Sequence, residues 1–173
     1  MKPGVAEEYD ASSATYDSLY KEEQEVKFGF LLNRVRPGGG EEVVLDAGCG
    51  TGLLLEALSR RWGCTLVGLD SSEGMLREAK RKGTAANLVL GDIEKMPFKD
   101  GSFDIAFSVS VIQLADDPEE AIGEIRRVLK KGGRVGISYL RRAGIAVPRI
   151  RGLRVAVHDS ETMKDIFLTG YRE

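Results

Sequence analysis

Two carboxylates and a cluster of glycines carry the densest chemistry in this chain. The apolar run Val43-Val-Leu ends in Asp46, and the run from Thr65 to Leu69 ends in Asp70. Between them Gly48, Cys49, Gly50 and Gly52 form a tight turn, and a helical pattern begins at Leu53. A strand, a glycine turn, a helix and a second acid-tipped strand make a nucleoside-binding βαβ unit. The glycines let the backbone pass close to a ligand. The two oxygens of Asp70 are placed to hold two ribose hydroxyls. The dinucleotide fingerprint is GxGxxG, but here the third glycine falls one residue early and Asp46 stands two residues before the first. A pyrophosphate wants a helix N-terminus. A carboxylate at that place suits a cationic ligand with an amino-acid tail, held by Asp46 directly or through water.

The elements that must position these residues read as an alternating α/β pattern. Residues 5–36 look helical in two pieces, with Leu19, Val26, Phe30, Leu31 and Val35 as a rough apolar face, and Pro37-Gly-Gly-Gly40 closes them. Leu54, Leu55, Leu58 and Trp62 follow the glycine turn at helical spacing. A helix around Ser72 to Lys82 points Met75, Leu76 and Ala79 inward, and Leu88 to Leu90 and Phe103 to Val109 read as strands. Asp117-Pro118 is a strong helix start, with Ala121, Ile122, Ile125, Val128 and Leu129 on one face and Gly132-Gly133 as the stop. Arg134 to Tyr139 is a fifth strand. Leu153 to His158 and Lys164 to Tyr171 read as two more, around an Asp159-Ser160-Glu161-Thr162 turn.

The Asp46-to-Gly52 segment resembles motif I of class I S-adenosylmethionine-dependent methyltransferases, and the chain resembles the type 11, quinone-biosynthesis-like branch. That resemblance implies a three-layer αβα, Rossmann-like fold with a seven-stranded, mostly parallel sheet in the order 3-2-1-4-5-7-6, the last strand antiparallel. It implies a single domain over 1–173, with a helical lid at 1–40, a cofactor-binding core at 41–140, and a substrate-side loop and terminal hairpin at 141–173. The cofactor would be S-adenosyl-L-methionine, leaving as S-adenosyl-L-homocysteine. Gly91 to Phe98 resembles the adenine segment, where Asp92 would accept from the adenine amino group and Ile93 would pack on a ring face. Ser71 and Met75 would wall the ribose or adenine, although Met75 also suits a core position. Ser108 would meet the methionine moiety through its backbone. Tyr9, Tyr16 and Tyr20 correspond to a lid over the sulfonium, where aromatic faces favour a cation.

Methyl transfer from a sulfonium needs position and a dry site, and a base only if the nucleophile must lose a proton. Gln113 and Tyr16 are the candidates for such a role, Gln113 also as a substrate-orienting amide. The Asn/Asp-Pro-Pro-aromatic motif of amino methylation and the Pro-Cys of cytosine carbon methylation are both absent at the end of the fourth strand. His158, the only histidine, reads as a surface residue. Asp117 is a helix cap, and no metal spacing is present. Arg141, Arg142, Arg149, Arg151 and Arg154 lie in a stretch from 140 to 158 with no acid. They would meet phosphates on RNA or an anionic metabolite, or form a solvated loop.

The 173 residues suffice for one domain, and a net charge of −2 carries no global polyanion signal. No run approaches the ~20 apolar residues of a membrane span. The two cysteines read as free thiols in a reducing cytoplasm. Only two Asn and two Gln occur, which suits a thermophile. The acceptor would be RNA or a small molecule. Tyr16 to Glu25 resembles archaeal methyltransferases that work with a small zinc-ribbon activator protein. Such a partner, or a second copy, would find a sheet edge at Asn87 to Leu90. The alternative is a non-catalytic cofactor-binding or scaffold subunit, which Asp70→Ala would leave undisturbed.

Overall fold

A computed structural model describes residues 2, 4–38, 40–145, 151–160 and 164–173. Helix α1 (Val5–Leu32) precedes strand β1 (Val43–Ala47), helix α2 (Leu53–Ser59), strand β2 (Thr65–Asp70), helix α3 (Glu73–Arg81) and strand β3 (Ala86–Leu90). Strand β4 (Phe103–Val109), helix α4 (Pro118–Val128) and strands β5 (Leu129–Leu140), β6 (Leu153–His158) and β7 (Asp165–Arg172) follow. The sheet runs β3-β2-β1-β4-β5-β7-β6, parallel except that β7 is antiparallel to both β5 and β6. The order and the antiparallel last strand agree with the sequence expectation.

Strand β1 lies between two parallel partners, which is why it reads as a continuous apolar run rather than an alternating one. On one face Phe28, Leu31 and Leu32 of α1 join Leu54, Leu55 and Leu58 of α2 over Val44, Ile105 and Phe107. On the other, Ala121, Ile122, Ile125 and Val128 of α4 cover Ala106, Val135 and Ile137. Caps set the helix starts. Ser72 Oγ accepts from Met75 N at 3.0 Å, and Asp117 accepts from Glu119 and Glu120 ahead of Pro118.

Three local expectations are corrected. Within residues 5–36 there is one 28-residue helix, Val5–Leu32, not two pieces. The Ser12, Ser13, Thr15 and Ser18 hydroxyls bond back to carbonyls three or four residues earlier, so the polar middle of α1 stays helical. Leu19 and Val26 stand 66% and 74% exposed, whereas Gln24 and Lys27 are buried, because that side of α1 faces a cavity and not the apolar core. Helix α4 stops at Val128, before Gly132-Gly133, because Leu129 already pairs with Phe103 in the sheet. Among the described residues no helix is long and apolar enough to cross a membrane.

Candidate functional site

The site is built from the carboxyl ends of β1, β2 and β4, with α1 laid across them. At the first junction the backbone does most of the work. Gly48 and Cys49 N–H donate to Leu69 O at 2.7 and 2.9 Å, stitching the turn to the end of β2. Gly48 has φ +82°, and a Cβ there would come within 2.3 Å of Val111, so only glycine fits. Asp70 accepts from Gly50 N at 2.7 Å and Ser72 N at 2.9 Å. Burial raises its pKa, and these backbone donors pull the other way.

Asp46 is 3% exposed at the end of β1. Burial and then the neighbouring Asp70 charge push its pKa up to about 8. Such a carboxyl fits a site made for a cation, because a bound positive charge would return it to the ionised form. Two narrow cavities flank this acidic pair, of about 50 and 30 Å³. Asp70, Ser71 and Met75 line the first, Asp46 and Cys49 the second, and Tyr16, Gly48 and Gly50 line both.

Helix α1 is fastened over this cleft at two points. Asp10 Oδ1 accepts from Ser72 Oγ at 2.5 Å and Gly74 N at 2.7 Å. A Cβ on Gly74 would sit 2.9 Å from that carboxylate oxygen, so glycine is what lets α1 approach α3. Farther along, Asp17 accepts from Thr51 Oγ1 at 2.5 Å and pairs with Lys82, which also donates to Thr51 at 3.1 Å. Tyr9, Tyr16 and Tyr20 form a ladder with ring centroids 6.1 and 4.9 Å apart. Burial, then the neighbouring tyrosines and acids, raises the Tyr16 phenol above its ordinary pKa, which argues against its use as a base.

Beyond the tyrosines a wider cavity of about 690 Å³ opens. Two acids, Glu8 and Glu23, and four cations, Lys27, Arg141, Arg142 and Lys164, line it. Gln113 forms part of its wall, its Nε2 donating to Ser110 O at 2.7 Å while its Oε1 is buried without a partner. Ser110 lines both this cavity and the narrow one beside Asp70. It is the only described non-glycine residue with positive φ, at 60°. Lys27 Nζ donates to Ser110 Oγ at 2.8 Å and pairs with Glu23 at 2.9 Å and Asp165 at 3.2 Å. Ser110 Oγ in turn donates to Asp165 Oδ2 at 3.3 Å.

The structure therefore brings together Asp46, Gly48, Cys49, Gly50, Asp70, Ser71, Met75 and Tyr16, with Gly52 as the N-cap of α2. Tyr20, Gln113, Arg141 and Arg142 gather at the wide cavity. Ser108 is displaced from the expected place. Its side chain is buried in the sheet, and Val109, Ser110 and Val111 line the cleft instead. Ile93 is 2% exposed in the core beside Leu69, and neither it nor Asp92 lines these cavities, although Gly91 N bonds Asp70 O at the same row of strand ends. Arg151 is exposed and off these cavities, and Arg149 falls outside the described residues. His158 is not a free surface residue. It bonds Thr169 at 2.8 Å and packs edge-on against Phe30.

Sequence reasoning missed Lys27, Ser110 and Asp165. The available signal was a lysine between Gln24 and Leu31 on the buried side of α1. No group of three or more potential metal ligands occurs among the described residues.

The family described as Methyltransferase domain matches residues 45–137. A malonyl-[acyl-carrier protein] O-methyltransferase of Serratia marcescens is 36% identical over 143 residues, 80% of this chain and 53% of that protein. The chain thus spans about half the length of the curated relatives it matches. A chain of the complex between the Haloferax volcanii Trm112 methyltransferase activator and a methyltransferase superposes with TM-score 0.81 at 23% identity, covering 95% and 97% of the two chains. A TehB-like SAM-dependent methyltransferase of Corynebacterium glutamicum gives TM-score 0.76 at 22% identity, covering 94% and 99%. These two likenesses show the fold.

Proposed function

The chain belongs to the methyltransferase domain family and has its class I fold, and from that premise we propose that it transfers a methyl group from S-adenosylmethionine to a small anionic acceptor. The observation that carries this reading is the join at Ser110 and Tyr16. There two narrow cavities, one lined by Asp70 and the other by Asp46, meet a wide cavity with an excess of cations.

The cleft residues fit the cofactor. Asp70 would hold the ribose diol, Asp46 the amino-acid ammonium, and the Gly48–Gly50 backbone the chain between them. Tyr16 and Tyr9 would lie over the cofactor and keep water out. Ser71 and Met75 would flank the nucleoside, and Asp92 the adenine edge, with Ile93 acting from beneath. When bound, the cofactor supplies an electrophilic methyl group on a sulfonium. Everything else is position and exclusion of water.

On the acceptor side, Arg142 and Lys164 offer an anionic group its charge partner, and the buried Gln113 Oε1 offers an N–H or O–H an acceptor. A cavity of this size suits a metabolite. RNA is the weaker reading, because among the described arginines Arg151 and Arg154 do not line this cavity.

One observation favours a partner-dependent form of the same function. The Haloferax neighbour was solved with a small activator, and this chain leaves Leu90 on edge strand β3 56% exposed. A small partner protein adding to that edge would cover it. Calorimetric titration with S-adenosylhomocysteine tests the core proposal. Micromolar binding by the wild type, reduced about a thousandfold in Asp70→Ala, is expected. A well-folded wild type that does not bind, alone or with a candidate activator, would point to a scaffold instead.

A further inference from the structure

The acceptor side holds a buried polar centre that the cofactor does not need. Lys27 comes from α1, Ser110 from the end of β4 and Asp165 from the start of β7, and they meet where the two cavities join. Lys27 and Asp165 are 5% and 2% exposed. Taking both charges out of water is costly, and a hydrophobic pair of similar volume would serve the fold equally well. Ser110 adds a left-handed backbone that a serine adopts only when its surroundings impose it, a feature that gathers at working sites.

The charges decide what this centre can receive. Lys27 is shared by Glu23 and Asp165, so these three carry one excess negative charge, with Lys164 answering Glu23 only at the exposed rim. A carboxylate brought against Ser110 would be repelled. A neutral O–H or N–H would be welcomed, because Ser110 Oγ accepts from Lys27 through one lone pair and keeps the other. Arg142 lies on another part of the cavity wall, where it suits the acceptor's anionic group.

We infer that Ser110, held by Lys27 and Asp165, receives the nucleophilic atom of the acceptor and selects one that bears a proton, a hydroxyl or an amine. This rests on the methyltransferase reading above and names the acceptor's reacting group. As the nucleophile's electron pair forms the new bond to the methyl group, the carbon–sulfur pair stays on the departing thioether. The acceptor's proton passes to Ser110 Oγ, and the serine's own proton passes to Asp165 Oδ2. Ser110 is the residue in contact, Asp165 takes the proton through it, and Lys27 is a positioning residue.

The test uses two probes of matched shape on the full chain saturated with S-adenosylhomocysteine. They are 4-hydroxybenzoate, with a hydroxyl opposite its carboxylate, and terephthalate, with a second carboxylate there. Binding is read by calorimetry for the wild type, Ser110→Ala and Asp165→Asn. The expected result is a preference of tenfold or more for 4-hydroxybenzoate that shrinks below threefold in both variants. In Asp165→Asn the S-adenosylhomocysteine affinity stays within threefold. Equal or tighter binding of terephthalate by the wild type, or a preference that survives in Ser110→Ala, overturns the inference alone. Ser110→Ala keeps the test open should Asp165→Asn fail to fold. Binding of neither probe overturns the acceptor-cavity reading, and no binding of S-adenosylhomocysteine overturns the methyltransferase reading.

Discussion

The two halves of the site are made in different ways. The cofactor side is a backbone device: one contiguous turn, residues 46–52, is stitched to β2 by Gly48, Cys49 and Gly50 N–H groups. The acceptor side is a side-chain device, assembled from α1, the end of β4, the turn after β5 and the start of β7. The first is tight and acidic, with Tyr16 in its wall. The second is wide, with cations in excess. A local device tolerates little change of shape, because the covalent chain itself sets its geometry. A composite one can alter its chemistry by exchanging single side chains, which is how one fold serves many acceptors.

Four substitutions would break or sharpen this contrast. Asp70→Ala would remove the two charge-assisted contacts proposed to the ribose, about 4 kcal/mol of binding, read as a near-thousandfold rise in the S-adenosylhomocysteine Kd. On the acceptor side Lys27→Met leaves Asp165 buried without its partner and lowers stability by about 3 kcal/mol. In urea denaturation the double variant Lys27→Met/Asp165→Leu should recover most of that loss. If it does not, the pair serves the fold rather than the acceptor.

Asp46→Asn acts through pH. The folded protein holds the Asp46 proton more tightly than the unfolded chain, whose ordinary value is 3.8. Its contribution to stability is therefore complete below that value and is lost as pH rises through about 8. The asparagine variant should lose this slope. Affinity for the cationic tail should strengthen toward pH 8 in the wild type and stay flat in the variant, as calorimetry across pH would show. The smallest effect is expected from Asp17→Asn. Its ion pair with Lys82 is partly exposed, so stability changes by less than about 1 kcal/mol. Hydrogen exchange in the first half of α1 should nevertheless quicken, and S-adenosylhomocysteine should leave a few times faster. Unchanged exchange would show that Asp10 alone fastens the lid.

Legibility followed the same division. Asp46, the glycine turn, Asp70 and the Asp117 cap were readable because residue type and short spacing mark each of them. Ser108 was chosen where Ser110 stands, since strand alternation says which residues share a face but not where the strand ends and the cleft begins. Leu19 and Val26 suggested a core face on α1 and instead stand exposed, while Lys27 lies buried on that helix against a carboxylate far along the chain.

The amino-acid order by itself determined the alternating elements, the strand-turn-helix geometry of the glycine segment and the two acids at neighbouring strand tips, because short-range sterics and hydrogen bonding settle these. Only the tertiary structure decided which side of α1 covers the cleft, that Tyr16 lines it, and that Lys27, Ser110 and Asp165 converge. Those contacts join residues 27, 110 and 165, and no local preference encodes a meeting that exists only once the sheet is complete.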